Sequence, residues 1–163
     1  MKAEYVNSFY KATKEVFKLM VGIDPQKKDL RVIEDMVSSK DASVVLGVTG
    51  DLKGTILFGF PKDMTLEMIR IMSGMEMDRI DSFASSALGE VANIISGNAM
   101  TLLAENNYAC DIVPPQIFIG EYKSFTMAGE RALQLILTTP IGEFDINISL
   151  KEKQVQLEKR IVL

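Results

Sequence analysis

Ser82–Asn106, SFASSALGEVANIISGNAMTLLAEN, is the longest run of helical periodicity in the chain. Asp81 or Ser82 can cap its start, and no proline interrupts it. On a wheel of about 100° per residue, Ala84, Leu88, Val91, Ile95, Ala99 and Leu102 fall on one side and predict a core-facing stripe. Ser86, Glu90, Asn93 and Gly97 follow one another at spacings of four, three and four residues, so they share a stripe around the opposite side. Periodicity alone makes these the solvated face of an amphipathic helix. Between Ile80 and Leu103, however, there is no lysine or arginine. A solvated face over so many turns ordinarily carries paired cations and anions. An uncharged strip broken by one glutamate therefore predicts a surface that another molecule covers.

Working outward toward the amino terminus, Asp63 is read as the cap of a short helix that runs to Ser73 and stops at Gly74. Ahead of it, Ser43–Val48 and Leu52–Phe60 are β-rich runs around Gly50 and Asp51, a hairpin ended by Pro61. A polar linker, Pro25–Asp29, precedes a strand beginning near Leu30. The first element is a helix over Lys2–Met20, with Val6, Phe9, Tyr10, Thr13, Val16, Phe17 and Met20 at helical spacing and Gly22 as its stop.

On the other side, Cys110–Ile119 contains Pro114 and Pro115 and reads as an irregular edge strand, since proline cannot donate to a ladder. Leu133, Leu135 and Leu137 mark the next strand. Across the Pro140–Gly142 turn, Phe144, Ile146, Ile148 and Leu150 alternate with Glu143, Asp145, Asn147 and Ser149, the pattern of a half-buried strand. Lys151–Leu163 is a charged extension, open between a short helix and a frayed end. Helix followed by hairpin occurs in each half, which suggests an internal duplication, although no residue-level repeat is evident. The expected fold is α+β, one domain over residues 1–163, with helices covering a largely antiparallel sheet.

Composition narrows the chemistry. The chain has 163 residues, of which 47% are hydrophobic, enough for one ordinary core. Its 18 basic and 22 acidic residues form no long like-charge block and give no footprint for nucleic acid or an anionic membrane. Lys2, Glu4, Lys11, Lys14 and Glu15 break up the amino-terminal apolar residues, so neither a signal peptide nor a membrane span is expected, and the protein is expected in the cytoplasm. There is no histidine, which removes Ser-His-Asp and Cys-His nucleophile pairs and the commonest ligand for zinc, copper and non-haem iron. No metal site is expected. The single cysteine, Cys110, is expected to be buried and inert, and no glycine-rich phosphate loop is present. Met64, Met68, Met72 and Met75 line one side of the short helix, a spacing that fits core packing and also an adaptable partner surface.

Ser86-x-x-x-Glu90-x-x-Asn93 within Ala87–Gly97, followed by Asp111-Ile112-Val113-Pro114-Pro115, resembles the signature of the CheC/CheX/FliY phosphatases. The resemblance extends over nearly the whole chain, including the Val48-Thr49-Gly50 turn and Gly54. The Glu-x-x-Asn motif is read as a single copy, as in CheX members, whereas CheC usually carries two. This resemblance implies the CheC-like fold and the hydrolysis of an aspartyl-phosphate on a CheY-like response regulator. The phosphorylated receiver would bring its own Mg²⁺ and a lysine, with no cofactor held by this chain. Asn93 would orient a water in line with the phosphorus, and Glu90 would pair with the receiver lysine.

Ser86 matches the first motif position and is open between a supporting contact to the partner and an ordinary helix-surface serine. Gly97 is open between close approach of the partner backbone and a softening of the helix. Pro114 and Pro115 offer no chemistry and shape a strand edge. The resemblance further implies a homodimer built through the sheet. A second functional class shares the fold, a non-catalytic receiver-binding adaptor similar to the FliM middle domain, which lacks the Glu/Asn pair. The carboxyl-terminal extension beyond Leu150 is longer than a compact CheX chain would have.

Overall fold

The computed structural model describes residues 1–34, 36–37, 40–120, 125–126 and 131–153. In chain order the elements are α1 (Ala3–Met20), β1 (Gln26–Ile33), β2 (Met36–Val37), β3 (Ala42–Gly50), β4 (Leu52–Phe60), α2 (Lys62–Ser73), α3 (Ser82–Glu105), β5 (Cys110–Ile112), β6 (Gln116–Ile119), β7 (Phe125–Thr126), β8 (Ala132–Thr139) and β9 (Gly142–Glu152). A seven-stranded sheet runs β1-β8-β9-β4-β3-β5, with β6 also on β3, and β2 pairs separately with β7. All described pairings are antiparallel. The α+β expectation holds, with α1 and α3 packed together over one face of the sheet.

The duplication is visible in the topology. Each half reads helix, strand, short strand, hairpin: α1, β1, β2, β3–β4 and then α3, β5–β6, β7, β8–β9. The two hairpins meet at the centre through β4 and β9, where Ile56 faces Ile148. Each half lends its first strand to the other half's hairpin. β1 lies on β8, and β5 and β6 lie end to end on β3, with Pro114 and Pro115 interrupting the ladder between them. The short strands β2 and β7 also pair across the halves.

The core lies between the helices and the inner sheet face. Phe9, Phe17, Leu46, Ile56, Phe58, Phe60, Leu88, Ile95, Phe144 and Ile148 are all buried there. Met64 and Met68 of α2 join them, Met72 is half-buried and Met75 lies exposed beyond the helix, so the methionine stripe is chiefly packing.

Several expectations are corrected by position in the sheet. β1 begins at Gln26 rather than near Leu30, because an edge strand tolerates Lys27 and Lys28 in solvent while its backbone pairs with β8. Asp63 does not cap α2. Pro61 occupies that position, and the first amide, Lys62 N–H, donates to Asp41 Oδ2 at 2.8 Å. Cys110 is half-buried rather than buried, because β5 is at the edge, and the Leu52 amide donates to its Sγ at 3.4 Å. Lys151 and Glu152 continue β9, and residues 154–163 of the extension lie outside the described residues.

β9 is buried on both faces, so its polar side does not meet solvent as the alternation predicted. Asp145, Asn147 and Ser149 lie on the outer face, near a second apolar cluster of Val37, Leu57 and Ala132. Asn147 Nδ2 donates to Asp145 Oδ1 at 2.8 Å and to the Leu57 carbonyl at 3.1 Å, and Lys40 Nζ stands 3.4 Å from Asp145 Oδ2.

Burial pushes the Asp145 carboxyl above the usual carboxylate range, with Lys40 and Asn147 opposing the shift. The folded state then holds this proton more tightly than the unfolded state. Its contribution to stability therefore falls as pH rises from the ordinary carboxylate pKa through the raised one. Urea unfolding of wild type and Asp145→Asn across that interval should show the wild type losing ground to the variant as pH rises. A difference independent of pH would sink this assignment.

Candidate functional site on helix α3

Asp81 caps α3 by accepting from the Ala84 amide at 2.9 Å, which fixes the first turn. Ala84, Leu88, Val91, Ile95 and Ala99 are fully buried as predicted, and Leu102 is half-buried. Gly89 lets the helix sit down on β6. A Cβ there would lie 2.5 Å from Ile117 Cδ1, so any side chain would displace Ile117.

The opposite stripe reaches the surface. Ser86 and Glu90 are exposed, and Asn93 and Gly97 are half-buried, so all four candidate residues share one ridge. Among the described residues, neither Glu90 nor Asn93 engages its side chain in a hydrogen bond or ion pair. Carboxylate and amide are one turn apart, with Cβ atoms about 5–6 Å from each other by helix geometry. A Cβ at Gly97 would meet nothing within 4 Å among the described residues, so no packing among them calls for a glycine there. Among the described residues, no group of three His, Cys, Asp or Glu side chains gathers where it could hold a metal ion. No described helix is long and apolar enough to cross a membrane.

A second Glu-x-x-Asn lies on α1, at Glu4 and Asn7, which corrects the single copy expected from the sequence. Matching Glu4 to Glu90 sets buried Val6 on Ala92, Phe9 on Ile95, Thr13 on Ala99 and Phe17 on Leu103, so a trace of the duplication survives at residue level. The α1 pair stands in different surroundings. Tyr108 donates its hydroxyl to Glu4 Oε1 at 2.8 Å, and the same hydroxyl accepts from Lys2 Nζ at 2.9 Å. Glu4, Asn7 and Lys11 line a groove against Leu102 and Glu105 at the far end of α3. Lys11 takes the place that Gly97 holds on α3. A tethered carboxylate beside a long cation is a poorer surface for a partner than the open α3 ridge.

The model of the family described as chemotaxis phosphatase CheX matches residues 42–139, which includes the whole of α3. The CheY-P phosphatase CheX of Thermotoga maritima is 27% identical over 157 residues, covering 93% of this chain and 98% of that protein. The crystal structure of a chemotaxis protein CheX from Desulfovibrio desulfuricans superposes with a TM-score of 0.82 at 27% identity, covering 91% of this chain and 99% of that one. CheX in the CheX–CheY–BeF3–Mg complex from Borrelia burgdorferi superposes with a TM-score of 0.71 at 26% identity, covering 91% of this chain and 98% of that one. A family match over most of the sheet and all of the ridge-bearing helix settles the relationship: the chain belongs to the chemotaxis phosphatase CheX family.

Proposed function

We propose that this chain accelerates hydrolysis of the aspartyl-phosphate of a CheY-like response regulator, with the α3 ridge as the face that meets the receiver. The observation that carries the reading is the presence of Glu90 and Asn93 on an accessible, cation-free ridge, with no side-chain partner among the described residues. The Thermotoga relative named as a CheY-P phosphatase, and the Borrelia relative solved with CheY, support it.

In this mechanism Asn93 positions the attacking water. A carboxamide is too weak a base to deprotonate water, but its carbonyl accepts one hydrogen bond and its N–H donates another, which fixes the oxygen in line with phosphorus. Glu90 pairs with the receiver's lysine and holds the two proteins in register. Ser86 adds a polar contact one turn earlier, and Gly97 leaves room for the partner's backbone. Mg²⁺ is held by the receiver, where it offsets charge on the phosphoryl oxygens, and this chain supplies only side chains. The reaction takes place in the cytoplasm.

The test is the decay of a phosphorylated CheY-like receiver in Mg²⁺, with and without the protein. Wild type should speed phosphate release, and Glu90→Ala should weaken both receiver binding and turnover. A receiver that binds but decays at its unassisted rate would establish the adaptor reading instead. Unchanged receiver binding by Glu90→Ala would remove the lysine-pairing role.

A further inference from the structure

Phe83 is 46% exposed on the second residue of α3. It belongs neither to the buried core nor to the half-buried shell packed against it. Single exposed apolar side chains are common and need no explanation by themselves. What distinguishes this one is its place. It precedes Glu90 by seven residues, two helical turns, and so lies about 20° from it around the helix and about 10 Å along it. Phe83 therefore stands on the same ridge as Ser86, Glu90, Asn93 and Gly97. Its neighbours Ser82, Ala84, Ser85, Ser86 and Ala87 are all small, which leaves the ring as a knob on an otherwise low surface. The Asp81 cap holds the backbone beneath it.

We propose that Phe83 is the apolar anchor by which the α3 ridge docks the phosphorylated receiver, setting affinity and partner choice while Glu90 pairs with the receiver lysine and Asn93 positions the water at the phosphoryl group. The inference rests on the reading of α3 as the receiver-binding face. The occupant follows from size. A stable interface buries about 800 Å² on each partner, a patch some 30 Å across. Phe83 lies about 10 Å along the helix from Glu90 and about 15 Å from Asn93, so a patch of that width seated on both residues extends to it. An aromatic ring with two rotatable bonds loses little entropy when fixed, and such rings commonly dominate interface energetics. The complementary feature is an apolar depression on the receiver beside its phosphorylation site.

The experiment uses the full chain and a CheY-like receiver loaded with beryllofluoride and Mg²⁺, a non-hydrolysable probe that reads docking apart from chemistry. Phe83→Ala should bind it about tenfold more weakly, the loss expected for a half-exposed phenyl removed from an interface, and Phe83→Leu should recover part of that loss. In hydrolysis assays Phe83→Ala should raise KM by a similar factor, with turnover at saturating receiver within about twofold of wild type. Thermal melts should change little, since the ring is no part of the buried core and nearly half of the residue is exposed. Wild-type affinity in Phe83→Ala overturns the proposal and leaves the α3 reading standing. Failure of wild-type protein to bind the loaded receiver overturns both. A lowered saturated turnover with unchanged KM also overturns it, because the residue would then be shaping the helix rather than docking the partner.

Discussion

Asn93→Ala should fold as wild type does and lose the acceleration of receiver dephosphorylation, a drop on the order of a hundredfold, or about 2.7 kcal/mol in the barrier. The magnitude is what positioning a nucleophile already beside its target can supply. Folding should survive, because the Asn93 side chain makes no hydrogen bond among the described residues and alanine is the better helix former. Receiver binding should persist, since docking belongs to Glu90 and the rest of the ridge. Asn93→Asp is the informative companion. It keeps the size and an acceptor but loses the N–H donor and adds negative charge facing a phosphoryl group, so it should be as inactive as the alanine variant. Phosphate release at fixed receiver concentration checks both. Full activity in Asn93→Ala would remove the water-positioning role. Partial activity that vanishes when Asn7 is also changed would show that the α1 pair works despite Tyr108 and Lys11.

Phe144→Ala should be the most damaging of the single core truncations, costing about 3–5 kcal/mol of stability. Phe144 is fully buried on β9 and stacks on Phe17 of α1, with centroids 4.8 Å apart and planes within 6°. On its other side it stacks on Phe60 of β4 at 5.2 Å and 13°. One ring thus joins the first helix, the first hairpin and the second hairpin, and no neighbouring side chain can fill its volume without abandoning one of the other two. At roughly 2–4 °C per kcal/mol for a chain of this size, the melting temperature should fall by about 6–20 °C. Urea or thermal unfolding gives the answer directly. A loss below about 1 kcal/mol would mean that the three elements close over the site independently.

The parts of this protein that were legible in the sequence are those where one local pattern outweighs everything around it. α3 repeats its apolar residues over six turns and carries its own cap, so its limits and its inward face could be read directly. The hairpins were legible for the same reason. What could not be read depends on distant segments. Asp41 caps α2 from across a hairpin, and no local signal at Pro61 or Lys62 announces it. The alternation in β9 is real, but its polar side is buried because other segments cover the outer face. β1 carries lysines and no clean alternation because an edge strand needs neither face covered.

The candidate site divides in the same way. The Ser86, Glu90, Asn93 and Gly97 ridge was fixed by spacing alone. The Glu4 and Asn7 spacing was equally visible, but Tyr108 reaching back to Glu4 is a tertiary fact. Phe83 carries no motif, and only its exposure beside the ridge makes it stand out.

The exchange of first strands between the two halves governs when the sheet can be built. As the chain leaves the ribosome, Gln26–Ile33 has to wait for Ala132–Thr139 before it has a ladder to join. The hairpin of β3 and β4 likewise lacks its central neighbour until residues 142–152 have been made. Closing such long loops has an entropic cost that must be met before the late contacts can offset it. Each half is thus the template on which the other is completed, and the nascent amino-terminal half carries open strand edges until residues 132–152 have been made.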